Sequence, residues 1–205
     1  MKILALELST ARGSLACLDG NFELVRQWPN DRQNSAAFFQ NIDVVIKKAG
    51  APETIIVGLG PGSYAGTRIA ISAAIGLQHS SNARLIGYPS ICAAEFDAPE
   101  HYVIGDARRK TFFFARIRAH QLIEGPTLLA EAELKSKLDL LESTMPIFSS
   151  ESLPQFKGIV VRYPSALVLA KVAQEPRHSF FLPPLEPIYL REPHITIPRA
   201  GTIGL

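Results

Sequence analysis

With 205 residues, 47% hydrophobic and 20% charged, the chain is long enough for one large domain or two small lobes and too apolar to be disordered. A formal net charge of +2 does not demand the strongly basic face by which proteins grip nucleic acid unaided. Cys17 and Cys92 are too few for a disulfide framework or a cysteine zinc site. Glu7 breaks the apolar start that would otherwise suggest a signal peptide, and no run reaches the ~20 apolar residues of a spanning helix, so a soluble cytoplasmic chain is expected.

Ile3 to Leu8 reads as a buried strand running into Ser9 and Thr10. Leu15 to Leu18, the turn signal Asp19-Gly20 and Phe22 to Trp28 then predict a hairpin, so three antiparallel strands open the fold. Asn34 and Ser35 offer caps for a helix to about Ala49, stopped by Gly50 and Pro52; Phe38, Ile42 and Val45 mark one stripe, which Phe39 and Ile46 widen. Thr54 to Leu77 predicts strand, glycine loop and helix, and the small residues Ala65, Gly66, Ala70, Ser72, Ala73, Ala74 and Gly76 predict close approach of a neighbouring helix. Leu85 to Tyr88 follows as a short strand, with Ser90 as cap of a helix through Ala94.

A second round has the same pattern without residue identity. Tyr102 to Asp106, Thr111 to Ile117 and Gln121 to Glu124 are strands, Glu131 to Leu141 is a helix, Ile147 to Ser149 and Ile159 to Val161 are short strands, and Ser165 caps a helix to Gln174. The tail, with Pro176, Pro183, Pro184, Pro187, Pro193 and Pro198, is expected to lie extended, Ile188 to Leu190 being its ordered piece.

The glycine joint is the most distinctive stretch. Unpaired N–H groups at a helix start attract oxyanions, and glycines let the backbone come close to another group. No Gly-Lys-Ser or Gly-Lys-Thr occurs, which excludes a P-loop. Gly60, Gly62 and Ala65 satisfy a dinucleotide fingerprint, yet residues 80 to 90 hold no acid for a ribose hydroxyl, and that reading is set aside.

VGLGPGSYAGTRI, with Pro61, Gly62, Ser63, Gly66 and Arg68, closely resembles the GPGSFTGLR signature of the TsaB (YeaZ) family, the bacterial subunit required to make threonylcarbamoyladenosine in tRNA. Asp106-Ala107-Arg108 resembles the family's DAR, and Pro187, Ile188, Tyr189, Leu190 and Arg191 resemble its closing P-x-Y-L-R. The sequence departs from the pattern at Glu7, where the wider superfamily carries aspartate, and at Asn34-Ser35, where the family has His-Ser.

The resemblance implies an actin-like, ribonuclease-H-like α/β fold, duplicated into two lobes of about residues 1 to 103 and 104 to 205, each a mixed sheet flanked by helices. It implies a noncatalytic partner that activates a TsaD-like catalytic subunit, with a TsaE-like ATPase completing the assembly. It also implies a homodimer when the chain is alone, and contact with tRNA only through the partner. The interface would come from Phe38, Phe39, Ile42, Ile46, Ile69, Ala70, Ala73, Ala74 and Leu77.

A vestigial ligand site would comprise Glu7, Ser9, Thr10, Gly60, Gly62, Ser63, Gly66, Arg68, Asp106 and Arg108. For Glu7 the readings are a catalytic carboxylate or an acid hydrogen-bonded to the Ser9 and Thr10 loop; for Asp106 and Arg108, groups facing an interlobe cleft or a pair fixing a turn. Arg109 and Lys110 are either a solvated turn or a tRNA contact. His79, His101, His120, His178 and His194 form neither H-x-x-x-H nor H-E-x-x-H, so no metal, no cofactor and no catalytic residue are expected. The alternatives are a degenerate ATPase or sugar kinase of the same fold, a glycoprotease-type metallopeptidase, and direct tRNA capture.

Overall fold

The computed structural model describes residues 1–30, 35–96, 98–141 and 145–191. The first sheet contains β1 (Ile3–Glu7), β2 (Arg12–Asp19), β3 (Phe22–Pro29), β4 (Thr54–Gly58) and β5 (Arg84–Tyr88), in the order β3-β2-β1-β4-β5. β1 pairs antiparallel with β2 and parallel with β4, and β4 and β5 are parallel. The second sheet contains β6 (Glu100–Asp106), β7 (Thr111–Arg118), β8 (Gln121–Ala130), β9 (Ile147–Ser149) and β10 (Ile159–Val161), in the order β10-β9-β6-β7-β8. Read from β8, this order repeats the first, with β6 antiparallel to β7 and parallel to β9. The duplicated mixed-sheet fold expected from the sequence is present.

The apolar runs of β1 and β4 reflect burial on both faces, because the side chains of a strand alternate between faces. Leu4, Leu6, Ile55 and Val57 face α1 (Ala36–Ala49) and α2 (Tyr64–Ser81) through Phe38, Val45, Ala70, Ile71 and Ala74. Ile3, Ala5 and Ile56 face the other way, toward Val103, Phe113, Ala115 and Ile117 of the second sheet. A third cluster, with Tyr102, Ile104, Phe112 and Phe114, is closed by Leu134 of α3 (Glu131–Asp139).

The last helix, α4 (Ala166–Val172), is built from the second half of the chain but packs on β1, β2 and β4. Ala166, Leu169, Ala170 and Val172 are all buried, and the Ala166 N–H donates to Ser14 Oγ at 2.9 Å. A seven-residue helix this apolar needs cover on more than one side, which a position between the sheets supplies. The division expected at residue 103 lies within the span of β6, and α4 packs on the first sheet.

Local signals are met differently in several places. Ser165 caps α4, its hydroxyl accepting from the Leu167 N–H at 3.2 Å. Ser35 stands before α1 in a helical conformation with no side-chain cap, and Asn34 lies outside the described residues. Ser90 opens a single 3₁₀ turn, Ser90–Cys92, and not a helix through Ala94; its hydroxyl is committed to the Gly60 N–H at 2.9 Å. β8 runs on to Ala130 past Gly125 and Pro126, which an edge strand tolerates because its outer N–H positions need no ladder partner. In the tail, Phe181 exchanges backbone hydrogen bonds with Gly87 at 2.9 and 3.0 Å, and the Ile188 N–H donates to Leu59 O at 2.8 Å. Pro193, Pro198 and His194 lie outside the described residues.

His101 is buried against Phe148, ring centroids 4.9 Å apart, with neither ring nitrogen partnered. Burial, reinforced by the charge of His120, pushes its pKa down from 6.5 to about 4. The unfolded chain therefore takes up this proton first, and stability is complete above pH 6.5 and falls as pH drops toward 4. His101→Leu should flatten that acid loss, read as urea midpoints at pH 7 and pH 5; an unchanged pH slope would refute the assignment.

Candidate functional site

The glycine joint is pinned against the exit of β1. The Ser63 N–H donates to Ser9 O at 2.6 Å, and Ser63 Oγ caps α2 by accepting from the Gly66 N–H at 3.2 Å. A Cβ at Gly62 would stand 2.1 Å from Ser9 O, and one at Gly66 2.2 Å from Leu8 O. Gly60 has φ of +89°, a region that L side chains rarely adopt. The close approach that the glycines permit is thus to the chain's own backbone.

Glu7 lies beneath this joint, fully buried, with Oε1 accepting from the Ser9 N–H at 2.6 Å. Burial raises its pKa, while the Ser9 and Ser90 hydroxyls and the Ser9 N–H oppose the rise. Thr10 takes no part: its hydroxyl bonds the backbone of Arg12, donating to the carbonyl at 3.2 Å and accepting from the N–H at 3.3 Å. Of the hydrogen-bonded loop read for Glu7, only the Ser9 half forms.

Above the joint, a cleft of about 250 Å³ separates the two sheets. Ser9, Thr10, Gly62, Ser63, Asp106 and Arg108 line it together, so the first-strand exit, the glycine joint and the Asp-Ala-Arg turn converge. The tail motif Pro187 to Arg191 forms another wall. Glu7, Gly60, Gly66 and Arg68 are not part of the lining; Arg68 turns outward and donates to the Tyr64 hydroxyl.

Both readings of Asp106 and Arg108 apply at once. The side chains pair at 3.0 Å and the Arg108 N–H donates to Asp106 Oδ1 at 2.7 Å, which fixes the turn, while both residues line the cleft. Arg108, Arg109 and Lys110 hold φ of 67°, 54° and 60°, a left-handed run of three residues with side chains. Glu151 was not foreseen: its Oε1 accepts from the Asp106 N–H at 2.8 Å and it lines the cleft. It follows the three-residue strand β9, and no local pattern marks it. Tyr64 and Tyr189, 5.3 Å between centroids, were also missed as a pair because 125 positions separate them.

The outer faces of α1 and α2 form a second region. Phe38, Ala70 and Ala74 do not contribute to it, since all three are buried on the first sheet. Thr67, Ala70, Ile71 and Ala74 form the stripe that presses on the sheet, so Ala70 and Ala74 serve close helix-to-sheet packing, while Ala73 and Gly76 lie off that stripe. Phe39 is 51% exposed and Ile75 39%, while Ile42, Ile46, Ile69, Ala73 and Leu77 are half-buried. Gly76 is exposed in mid-helix, with nothing within 4 Å of a built Cβ.

Among the described residues no group of three His, Cys, Asp or Glu converges as a metal site, and no helix is long and apolar enough to cross a membrane.

No family model and no curated protein matches the chain. Among solved structures it is similar to an uncharacterized protein with similarity to peptidase YeaZ, from Pseudomonas aeruginosa, with a TM-score of 0.72 and 22% identity over 93% of this chain and 99% of that one. It is also similar to YeaZ from Pseudomonas aeruginosa, with a TM-score of 0.66 and 20% identity over 85% of this chain and 91% of that one. At these identities the likeness establishes a shared two-sheet fold along nearly the whole chain.

Proposed function

We propose that the chain is a TsaB (YeaZ)-type subunit, a noncatalytic cytoplasmic protein that pairs with a TsaD-like catalytic subunit. It would activate that subunit for threonylcarbamoyl transfer to adenosine of ANN-reading tRNAs. A TsaE-like ATPase completes the assembly, and the chain pairs with itself when the catalytic subunit is absent. The reading combines the sequence signatures with the shared fold, and the observation that carries it is the outer band of α1 and α2. Phe39 and Ile75 are exposed there beside half-buried Ile42, Ile46, Ile69, Ala73 and Leu77. Burial of about 800 Å² per partner on this band makes a specific complex. Activation follows if the complex favours the productive lobe arrangement of the catalytic subunit over its resting one.

Gly76 supplies a test with opposite signs. A glycine in a helix interior is less stable than alanine by about 0.5–1 kcal/mol, and nothing in the isolated chain fills the space beside it. Gly76→Ala should raise the melting temperature of the dilute chain by a few degrees. It should also weaken pairing with the TsaD-like subunit about tenfold, because the added methyl holds the partner helix off. Thermal melts and size-exclusion of the mixture read the two effects, with tRNA modification as the functional readout. A more stable variant that pairs and activates as wild type does would remove the α2 face from the interface.

A further inference from the structure

We infer that the face formed by α1 and α2 takes a partner that brings carboxylates to its two edges, where Arg26 and Arg68 receive them, and that the same two arginines make a self-pair the weaker state. The inference rests on the pairing face proposed above and adds the chemistry by which that face tells its partner from a second copy.

The middle of the face is apolar, with Ile42 and Ile46 of α1 in one cluster with Ile69, Ala73 and Leu77 of α2. One arginine marks each outer edge, and both are exposed. Arg26 shares the strand face of Leu24 and Trp28, which pack toward α1, while Glu23 alternates to the other face. Its Nε donates to Asn41 Oδ1 at 2.8 Å, on the flank of α1 toward β3. Arg68 stands on the far flank of α2, where it donates to the Tyr64 hydroxyl and lies 5.1 Å from the centre of that ring, beside Tyr189 of the tail.

Each guanidinium is thus oriented by a neutral group, and neither meets a carboxylate within ion-pair distance among the described residues. Glu186 acts on Tyr189 alongside Arg68 but forms no ion pair with it. Between the edges the two helices carry one acid, Asp43, which Lys47 already holds at 2.7 Å, while Lys48 has no acidic partner among the described residues. An arginine fixed by a neutral acceptor keeps its charge and its remaining N–H groups for a carboxylate from outside, a bidentate match that lysine lacks. A second copy brings the same positive edges, because an isologous pair presses one patch on its own image. Like charges then oppose the apolar contact, whereas an acid-edged partner is drawn in.

Surface plasmon resonance of the chain with a TsaD-like subunit, between about 50 and about 500 mM sodium chloride, tests the edges. The association rate should fall about tenfold or more over that range. Sedimentation equilibrium of the chain alone should show the opposite, a self-pair that tightens as salt screens its edges. Arg26→Glu with Arg68→Glu should slow association with the subunit about tenfold at low salt and remove most of the salt dependence. The doubly reversed chain should nevertheless pair with the wild-type chain more tightly than wild type pairs with itself. Melting curves confirm the fold; should the reversals fail to fold, Arg26→Gln with Arg68→Gln decides through the salt dependence. A salt-blind association rate, reversals that pair as wild type does, or a self-pair that loosens with salt overturns the inference and leaves the pairing face in place. Absence of pairing with the subunit at every salt concentration overturns the pairing face itself, and this inference with it.

Discussion

Ala73→Arg should abolish pairing with a TsaD-like subunit while the isolated chain stays folded. Ala73 is half-buried on α2, one helical turn from both Ile69 and Leu77, in the band proposed to meet the partner. In the isolated chain an arginine at the edge of this band can lay its stem along the apolar surface and carry its charge to water. Against an apposed helix it cannot, and a buried charge without a partner costs about 3–5 kcal/mol, a loss of roughly two to three and a half orders of magnitude in affinity. Size-exclusion of the variant mixed with the catalytic subunit reads the result, with the melting curve as the folding control. A wild-type elution profile would exclude the α2 face as the interface.

Gly58→Ala should be among the most damaging single-methyl additions in the molecule. Its Cβ would fall 1.8 Å from Glu7 Oε2 and 2.6 Å from Ser90 Oγ. Glu7 is fully buried on central strand β1 and tied to the Ser9 N–H, so it cannot swing into solvent. Overpacking of this kind costs about 1–3 kcal/mol, and a displaced buried carboxylate adds to it. Shortening the opposing side chain should relieve the clash, so Glu7→Ala is expected to harm the Gly58→Ala chain less than the wild type. The coupling between the two changes should exceed about 1 kcal/mol in urea unfolding. Strict additivity would mean that Glu7 yields without resistance and that Gly58 is not held by it.

Much of the architecture is legible along the chain because its signals are local. The apolar run Thr54 to Gly58 and the glycines around Pro61 mark a strand, a turn and a helix within a dozen residues. The Asp19-Gly20 turn sets the first hairpin, where Asp19 pairs with Phe22. The site is legible only in pieces. The Gly-Pro-Gly-Ser stretch, Asp-Ala-Arg and Pro-Ile-Tyr-Leu-Arg each stand out as strings, but their meeting around one cleft depends on two sheets facing each other.

The amino-acid sequence by itself determined the alternation of strands and helices, the doubled pattern and the residues of the glycine joint, since hydrophobic period, caps and backbone sterics act over a few residues. Tertiary structure alone decided that α4 packs on the first sheet, that Ala70 and Ala74 face inward while Ala73 and Gly76 do not, and that Glu151 and Arg191 reach the cleft. Those outcomes follow from which apolar faces cover one another across more than a hundred residues, and a periodicity reports that a face exists without naming what covers it.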